Sequence, residues 1–278
     1  MILNDLNLFP EYISTYRNAD VLFVKEWVAI ADLTAKARLL GDDVYSHVVA
    51  LPADDPLRVL CSRFVCHEAY FEAIPNLDLV QTNNGFSVIG KATSGTTPAS
   101  RDRVASLRAK EDAWREKFRQ LIIEALIADS ETNALWQPSN AFRQTSQNLY
   151  LGFEDFSRYG VYDKAADYRG NLPTIRSLFV ERSLFYFSSE YAAELLEKQY
   201  TGALNDYDNR VLPLIKMAIG GLLTGNPETA TRQLLDVVDL MNENIDKFPT
   251  YAESKAYMLK RSENYENKKN HPTFFGGL

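Results

Sequence analysis

The sequence predicts a mainly α protein: a helical bundle with one long helix and a β-hairpin insertion. Three observations predict it. Apolar residues recur at three-to-four spacing through most of the chain, the period of a helix with one buried face. From Pro98 to Ala128 that spacing continues without a breaker. Between Leu77 and Gly90 it gives way to alternation on either side of Asn83-Asn84-Gly85, as in a hairpin. With 278 residues, 46% of them hydrophobic, the chain can bury a sizeable core and forms either one large domain or two of ordinary size.

The elements follow in order. Residues 1–19 are mixed, and Pro10 breaks any early helix, so an extended arm or short turns are expected. From Asp20, Leu22, Phe23, Trp27, Ile30, Leu33, Ala37 and Leu40 form one helical stripe, and Gly41 sits where a C′ glycine belongs. Asp55 as N-cap and Pro56 at the first position open the next helix. Its stripe is Leu57, Leu60, Phe64, His67 and Phe71, and Pro75 stops it. The hairpin spans 77–90, with Leu77, Leu79, Phe86 and Val88 alternating against more polar positions. The small polar loop to Thr97 leads into the long helix, 98–128, capped by Ser100 or by Thr97 with Pro98 next. Val104, Leu107, Trp114, Phe118, Leu121 and Ala125 lie on its seam, and only Glu111 interrupts it. Thirty residues at 1.5 Å each is roughly 45 Å, so the seam must pack on other helices or on neighbouring subunits.

Residues 1–130 are therefore read as a helical domain and 131–173 as an irregular linker. The stretch 174–278 is a second helical region with a C-terminal arm, and the two halves form either separate domains or one continuous one. Its helices are expected at 174–200, broken near Ser188-Ser189, at Asp208–Leu223, at Pro227–Ile245 capped by Asn226, and at Thr250–Glu263. A weak internal repeat sets Leu22-Phe23-Val24 opposite Leu178-Phe179-Val180.

Charge and motifs limit the function classes. A formal charge of −7 argues against the whole chain gripping nucleic acid, which needs clustered Lys and Arg. No apolar run approaches the length of a membrane span, and the first residues lack the pattern of a signal peptide. Cys61 and Cys66 diverge by about 140° on a helix and read as small buried hydrophobes, not a disulfide. His67-Glu68 begins like a zinc-protease helix, but Phe71 stands where the second histidine is required. A buried, hydrogen-bonded histidine is the simpler reading. Phosphate-binding glycine loops and nucleophile elbows are absent, and Gly220-Gly221 reads as close helix packing or a helix end. No catalytic residue, cofactor or metal ligand is expected, and the protein is read as no enzyme. The charges of the long helix read as a solvated face with pairs such as Glu111 with Arg115. Arg101 and Arg108 share a face and could meet an acidic partner or DNA. Tyr150, Phe153, Phe156, Tyr159, Tyr162 and Tyr168 read as packing or a subunit interface. Phe274 and Phe275, beyond a polar run, must fold back or dock on a neighbour.

Several of these runs together resemble a known family. Ile74-Pro-Asn-Leu-Asp-Leu-Val, Asn84-Gly85-Phe86-Ser-Val and Pro98-Ala-Ser-Arg-Asp-Arg103 with Leu107 are similar to a family encoded in phages and prophages of Bacteroidetes. So are Asp246-Lys-Phe-Pro-Thr-Tyr251, Ser254 and Pro272-Thr-Phe-Phe-Gly, so the resemblance spans most of the chain, with 130–173 matching only loosely. Members look like head–tail connector, or neck adaptor, proteins of tailed phages. The resemblance implies a structural virion protein made in the host cytoplasm. It would form a homo-oligomeric ring of about twelve copies between portal and tail. Packaged DNA would pass through without sequence-specific binding, and no membrane is involved. It implies no catalytic residues. The expected assembly contacts are Asn83, Asn84, Gly85, Phe86, Thr96, Arg101, Arg108, Phe274 and Phe275. The rival reading is a helical interaction scaffold or assembly chaperone of a phage or mobile element.

Overall fold

Helix dominates the computed structural model, so the chain is mainly α. Residues 1–14, 21–76, 79–82, 85–88, 100–159 and 164–262 are described, with backbone alone at 21, 23, 79–82, 85–88 and 260–262. In chain order the elements are α1 (Phe9–Tyr12), α2 (Lys25–Ala35), α3 (Asp42–Ala50), α4 (Pro56–Ala73), β1 (Leu79–Thr82), β2 (Gly85–Val88) and α5 (Arg101–Ala128). Then come α6 (Ser130–Trp136), α7 (Asn140–Thr145), α8 (Phe153–Ser157), α9 (Ala165–Tyr186), α10 (Ser189–Thr201), α11 (Asp208–Leu223), α12 (Pro227–Glu243), α13 (Pro249–Ala252) and α14 (Lys255–Ser262). The chain forms two units, Met1–Leu172 with Tyr200–Gly202, and Pro173–Gln199 with Ala203–Leu278.

In the first unit α4 is the central helix, packed on α2 and α5. Asp55 caps it, accepting from the N–H groups of Leu57 (2.9 Å) and Arg58 (3.3 Å). Cys61, Phe64, Val65, Cys66, Ala69 and Tyr70 are buried, which is more than one face, and both thiols are free. Burial pushes the Cys61 thiol up to about 12, so it stays neutral. The N-terminal residues are no loose arm. Pro10 lies in the first turn of α1, where its missing N–H costs nothing. Ile2, Leu3, Phe9 and Ile13 are buried in the core, and the Ile2 N–H donates to Asp32 Oδ1 at 2.8 Å.

Three further expectations are corrected. The buried face of α2 is Val28, Ala31 and Ala35, while Leu22, Ile30 and Leu33 of the expected stripe are exposed. The helix also passes into a π-helical turn, Lys36–Leu40, which shifts the register before Gly41. Gly41 has φ of +79°, and a Cβ there would lie 2.5 Å from Ser139 Cβ, so it satisfies both turn and packing. The 131–173 stretch is not an irregular linker. It holds α6, α7, α8 and the start of α9, and up to Leu172 it belongs to the first unit. Trp136 at the end of α6 is fully buried, with its indole N–H donating to the Leu39 carbonyl at 2.9 Å. Gly170 and Pro173 both lie inside α9.

Ser100 caps α5, accepting from the Arg103 N–H at 3.4 Å, so the helix begins at Arg101 and runs for 28 residues. β1 and β2 pair antiparallel, with Leu79 opposite Val88, Val80 opposite Ser87, Gln81 opposite Phe86 and Thr82 opposite Gly85.

In the second unit α11 and α12 pack along their length. They are joined by a Schellman turn: Gly225 has φ of +80°, and the Asn226 N–H donates to the Gly221 carbonyl at 2.8 Å. Asn226 precedes α12 but makes no side-chain cap there. Ser188, not a break alone, caps α10 by accepting from the Tyr191 N–H at 3.0 Å. Asp208 is fully buried and accepts from Tyr191 Oη at 3.0 Å and Lys198 Nζ at 3.1 Å. Within the aligned runs 22–24 and 178–180, Val24 is buried and Val180 is exposed.

Candidate functional site

The long helix α5 carries part of its charge inward. Glu111, the one interruption of its apolar seam, is buried, and its Oε2 lies 2.6 Å from Nδ1 of His67 on α4. A carboxylate that accepts there requires the imidazole hydrogen on Nδ1. The His67 ring stacks against Trp114 (5.8 Å between centroids) and Phe118 (5.2 Å). Glu111 thus answers a histidine on the facing helix, not Arg115 one turn along its own, which corrects that expected pair.

The next residue, Asp112, and Glu116 one turn beyond it are also buried. Arg115 donates to Asp112 at 2.7 Å and to Glu68 of α4 at 2.9 Å. Arg169 of α9 donates to both oxygens of Asp112 at 2.8 Å and to Glu116 at 3.0 Å. Burial opposes charge on Arg169, but its bonds to Asp112 and the charge of Glu116 hold its pKa above the usual value. Burial pushes the Glu68 carboxyl up, and the neighbouring Arg115 offsets only part of that. Of the face read as solvated, Arg101, Asp102, Arg103, Arg108 and Lys110 are exposed, while Asp112, Arg115 and Glu116 belong to an interhelix ion network. Asp112, Glu116 and Glu68 each have a guanidinium in contact, and the buried Glu116 Oε2 is left without a hydrogen bond.

Recesses lie beside these groups. One of about 210 Å³ is lined by Tyr12, Arg63, His67, Glu111, Trp114 and Phe118. Another, of about 310 Å³, is lined by Arg38, Glu68, Glu72, Arg115, Glu116 and Arg169. Among the described residues no group of three or more His, Cys, Asp or Glu could hold a metal ion, and no helix is long and apolar enough to cross a membrane.

The expected assembly residues fall as follows. Arg101 is exposed at the start of α5. Arg108 is also exposed, yet its guanidinium sits 4.5 Å from the centroid of the Phe71 ring, which Arg115 also covers at 3.7 Å. Arg108 is therefore engaged within its own chain. Gly85 and Phe86 lie in β2, opposite Thr82 and Gln81. Asn83, Asn84, Thr96, Phe274 and Phe275 lie outside the described residues. In the aromatic cluster, Tyr150 and Phe156 meet edge to face at 4.9 Å and Phe156 stacks on Tyr168 at 5.2 Å, all three buried, so these rings pack the first unit.

Sequence reasoning missed two exposed apolar groups. On α9, Val180, Leu184 and Phe185 are 62%, 66% and 71% exposed, and on α2, Ile30 and Leu33 are 52% and 65% exposed. The signal was present for α9, where Val180 and Leu184 are one turn apart.

The model of a family of unknown function, DUF6712, matches residues 20–146, a little under half of the chain. That stretch covers α2 to α7, including His67, Glu111 and Arg115 but not Arg169. No curated protein and no solved structure matches the chain.

Proposed function

We propose that this protein is a structural virion subunit. In this reading it is a head–tail connector, or neck ring, protein that binds the portal, joins it to the tail and helps retain packaged DNA. Its long helix α5 is the spine of a helical bundle, the hairpin β1–β2 is an insertion that reaches a neighbour, and about twelve copies close a ring. The observation that carries the reading is the run of resembling motifs from Ile74 to Leu107 and from Asp246 to Gly276. The fold supports it in two ways. Large apolar side chains stand in water on α2 and α9, a state that marks surfaces meant for a partner. The buried carboxylates Glu111, Asp112 and Glu116 are bound to His67, Arg115 and Arg169 and so serve the packing of helices, not a reaction. A chain of net charge −7 suits a channel through which DNA slides without sticking.

Co-expression with the portal protein of the same phage tests the reading. Native mass measurement is expected to show a portal complex carrying about twelve copies of this chain. A chain that stays monomeric with portal present, and instead binds one other phage protein in a simple stoichiometry, would favour the scaffold or chaperone reading.

A further inference from the structure

The two exposed apolar groups differ in form. Val180 and Leu184 are one turn apart on α9, and the next residue, Phe185, widens the exposed apolar ridge around the helix. Ile30 and Leu33 on α2 border hollows instead. Ile30 and Trp27 line a recess of about 210 Å³ that shares Thr34, Arg38, Glu68 and Glu72 with the recess of about 310 Å³ beside it. Leu33 edges a third, of about 610 Å³, toward Ser139 and Arg143. One face is a ridge and the other a furrowed surface with apolar lips.

Their charges also match. Arg38, on the furrowed face, is exposed and has no ion-pair partner among the described residues. Glu72 is 46% exposed at its side chain and its nearest cation, Arg115, is 3.9 Å away. On the ridge, Glu181 is 64% exposed and Arg182, 34% exposed, lies 3.8 Å away. Each face offers one poorly used cation and one poorly used anion.

We infer that these are the two halves of one head-to-tail contact: the α9 ridge of one copy seats on the α2 face of a second copy of this chain. Val180, Leu184 and Phe185 cover Ile30 and Leu33 and enter the recesses beside them. Arg38 meets Glu181, and Glu72 meets Arg182. Each copy carries one ridge and one furrowed face, so the contact is heterologous and propagates until rotation closes it. This rests on the assembly reading above and specifies its subunit contact.

The test uses two full-length variants, Phe185→Asp on the ridge and Leu33→Asp on the furrowed face. Both positions are exposed, and circular dichroism is the check that the variants fold. Sedimentation is measured over a wide concentration range, alone and with portal protein. The wild type is expected to associate, and each variant to associate at least about tenfold more weakly. An equimolar mixture of the two variants is expected to restore a dimer and nothing larger. In that mixture only the intact ridge of Leu33→Asp and the intact α2 face of Phe185→Asp can meet. Variants that assemble as the wild type does, or a mixture that shows no dimer, overturn the contact while leaving a ring built on other surfaces standing. A wild type that stays monomeric alone and with portal overturns both the contact and the assembly reading. Should either aspartate variant misfold, Arg38→Glu and Glu181→Arg replace the pair: each alone must weaken association and the combination must restore it, and failure of that rescue overturns the contact.

Discussion

The Glu111 carboxylate and the His67 ring are both withdrawn from water, and each is the other's hydrogen-bond partner. Removing one leaves the other buried and unsatisfied, which costs more than the pair itself contributes. Glu111→Ala is therefore expected to lose about 3 kcal/mol in urea unfolding. The apolar double variant His67→Phe with Glu111→Leu should recover most of that loss; a double variant as unstable as Glu111→Ala would contradict the account. Glu68 supports a pH prediction. Its folded pKa is raised, first by burial, so the fold binds its proton more tightly than the unfolded chain does. Ionised Glu68 thus weakens the fold above its folded pKa, and the penalty is relieved as pH falls through that value toward the unfolded one. Relative to Glu68→Gln, the wild type is expected to gain stability as pH falls from neutral into the carboxylate range. Denaturant titrations at a series of pH values measure the difference, and a flat or opposite trend would refute it. Glu111 was legible only as an interruption of a seam, because its partner lies 44 residues away in sequence. Arg169 was not legible at all, since the carboxylates that hold it are 53 and 57 residues distant.

Elements were legible where their own residues specify them. Asp55-Pro56 opens α4, and Gly41 ends the turn before α3, because caps and positive φ are local requirements. Asp55→Ala is accordingly expected to cost about 1 kcal/mol of the first unit's stability, read from the shift in denaturation midpoint. No loss would mean that water replaces the cap fully. Gly41→Ala should be worse, since it combines a φ of +79° with a Cβ only 2.5 Å from Ser139 Cβ. The face of α2 was misread because apolar residues occupy both of its sides, and periodicity cannot say which side a neighbour covers. The short helices α6 and α7 were missed for another reason. At seven and six residues they are below the length that stands alone in water, so tertiary contacts hold them. Their caps were nonetheless in the sequence: Asp129 accepts from the Thr132 N–H at 3.0 Å and Ser139 from the Phe142 N–H at 2.9 Å.

At the scale of the molecule, the chain does not divide by one cut. The first unit takes Met1–Leu172 and then recovers Tyr200–Gly202 from the end of α10. Tyr200 is fully buried in that unit's core. Its hydroxyl donates to the Asn148 carbonyl at 3.0 Å, and its own carbonyl accepts from Asn133 Nδ2 at 2.9 Å. Its ring meets Trp136 and Phe142, each at 6.5 Å between centroids. Gly202 has φ of +70°, and a Cβ there would stand 3.0 Å from the Ile127 carbonyl, so the chain is held close to α5 as it leaves. A fragment ending at Leu172 would lack this plug and leave Asn133 with a buried donor unpaired, a combination that costs roughly 3–5 kcal/mol for the lost aromatic alone. Limited proteolysis and thermal unfolding can compare fragments 1–172 and 1–202. The longer one is expected to unfold cooperatively, and the shorter to melt well below it or fail to fold. Tyr200→Ala in the full-length chain should reproduce the loss, which separates the missing ring from the missing backbone. Equal stability of the two fragments would show that the first unit is complete at Leu172 and that Tyr200 fills a space the core can close without it.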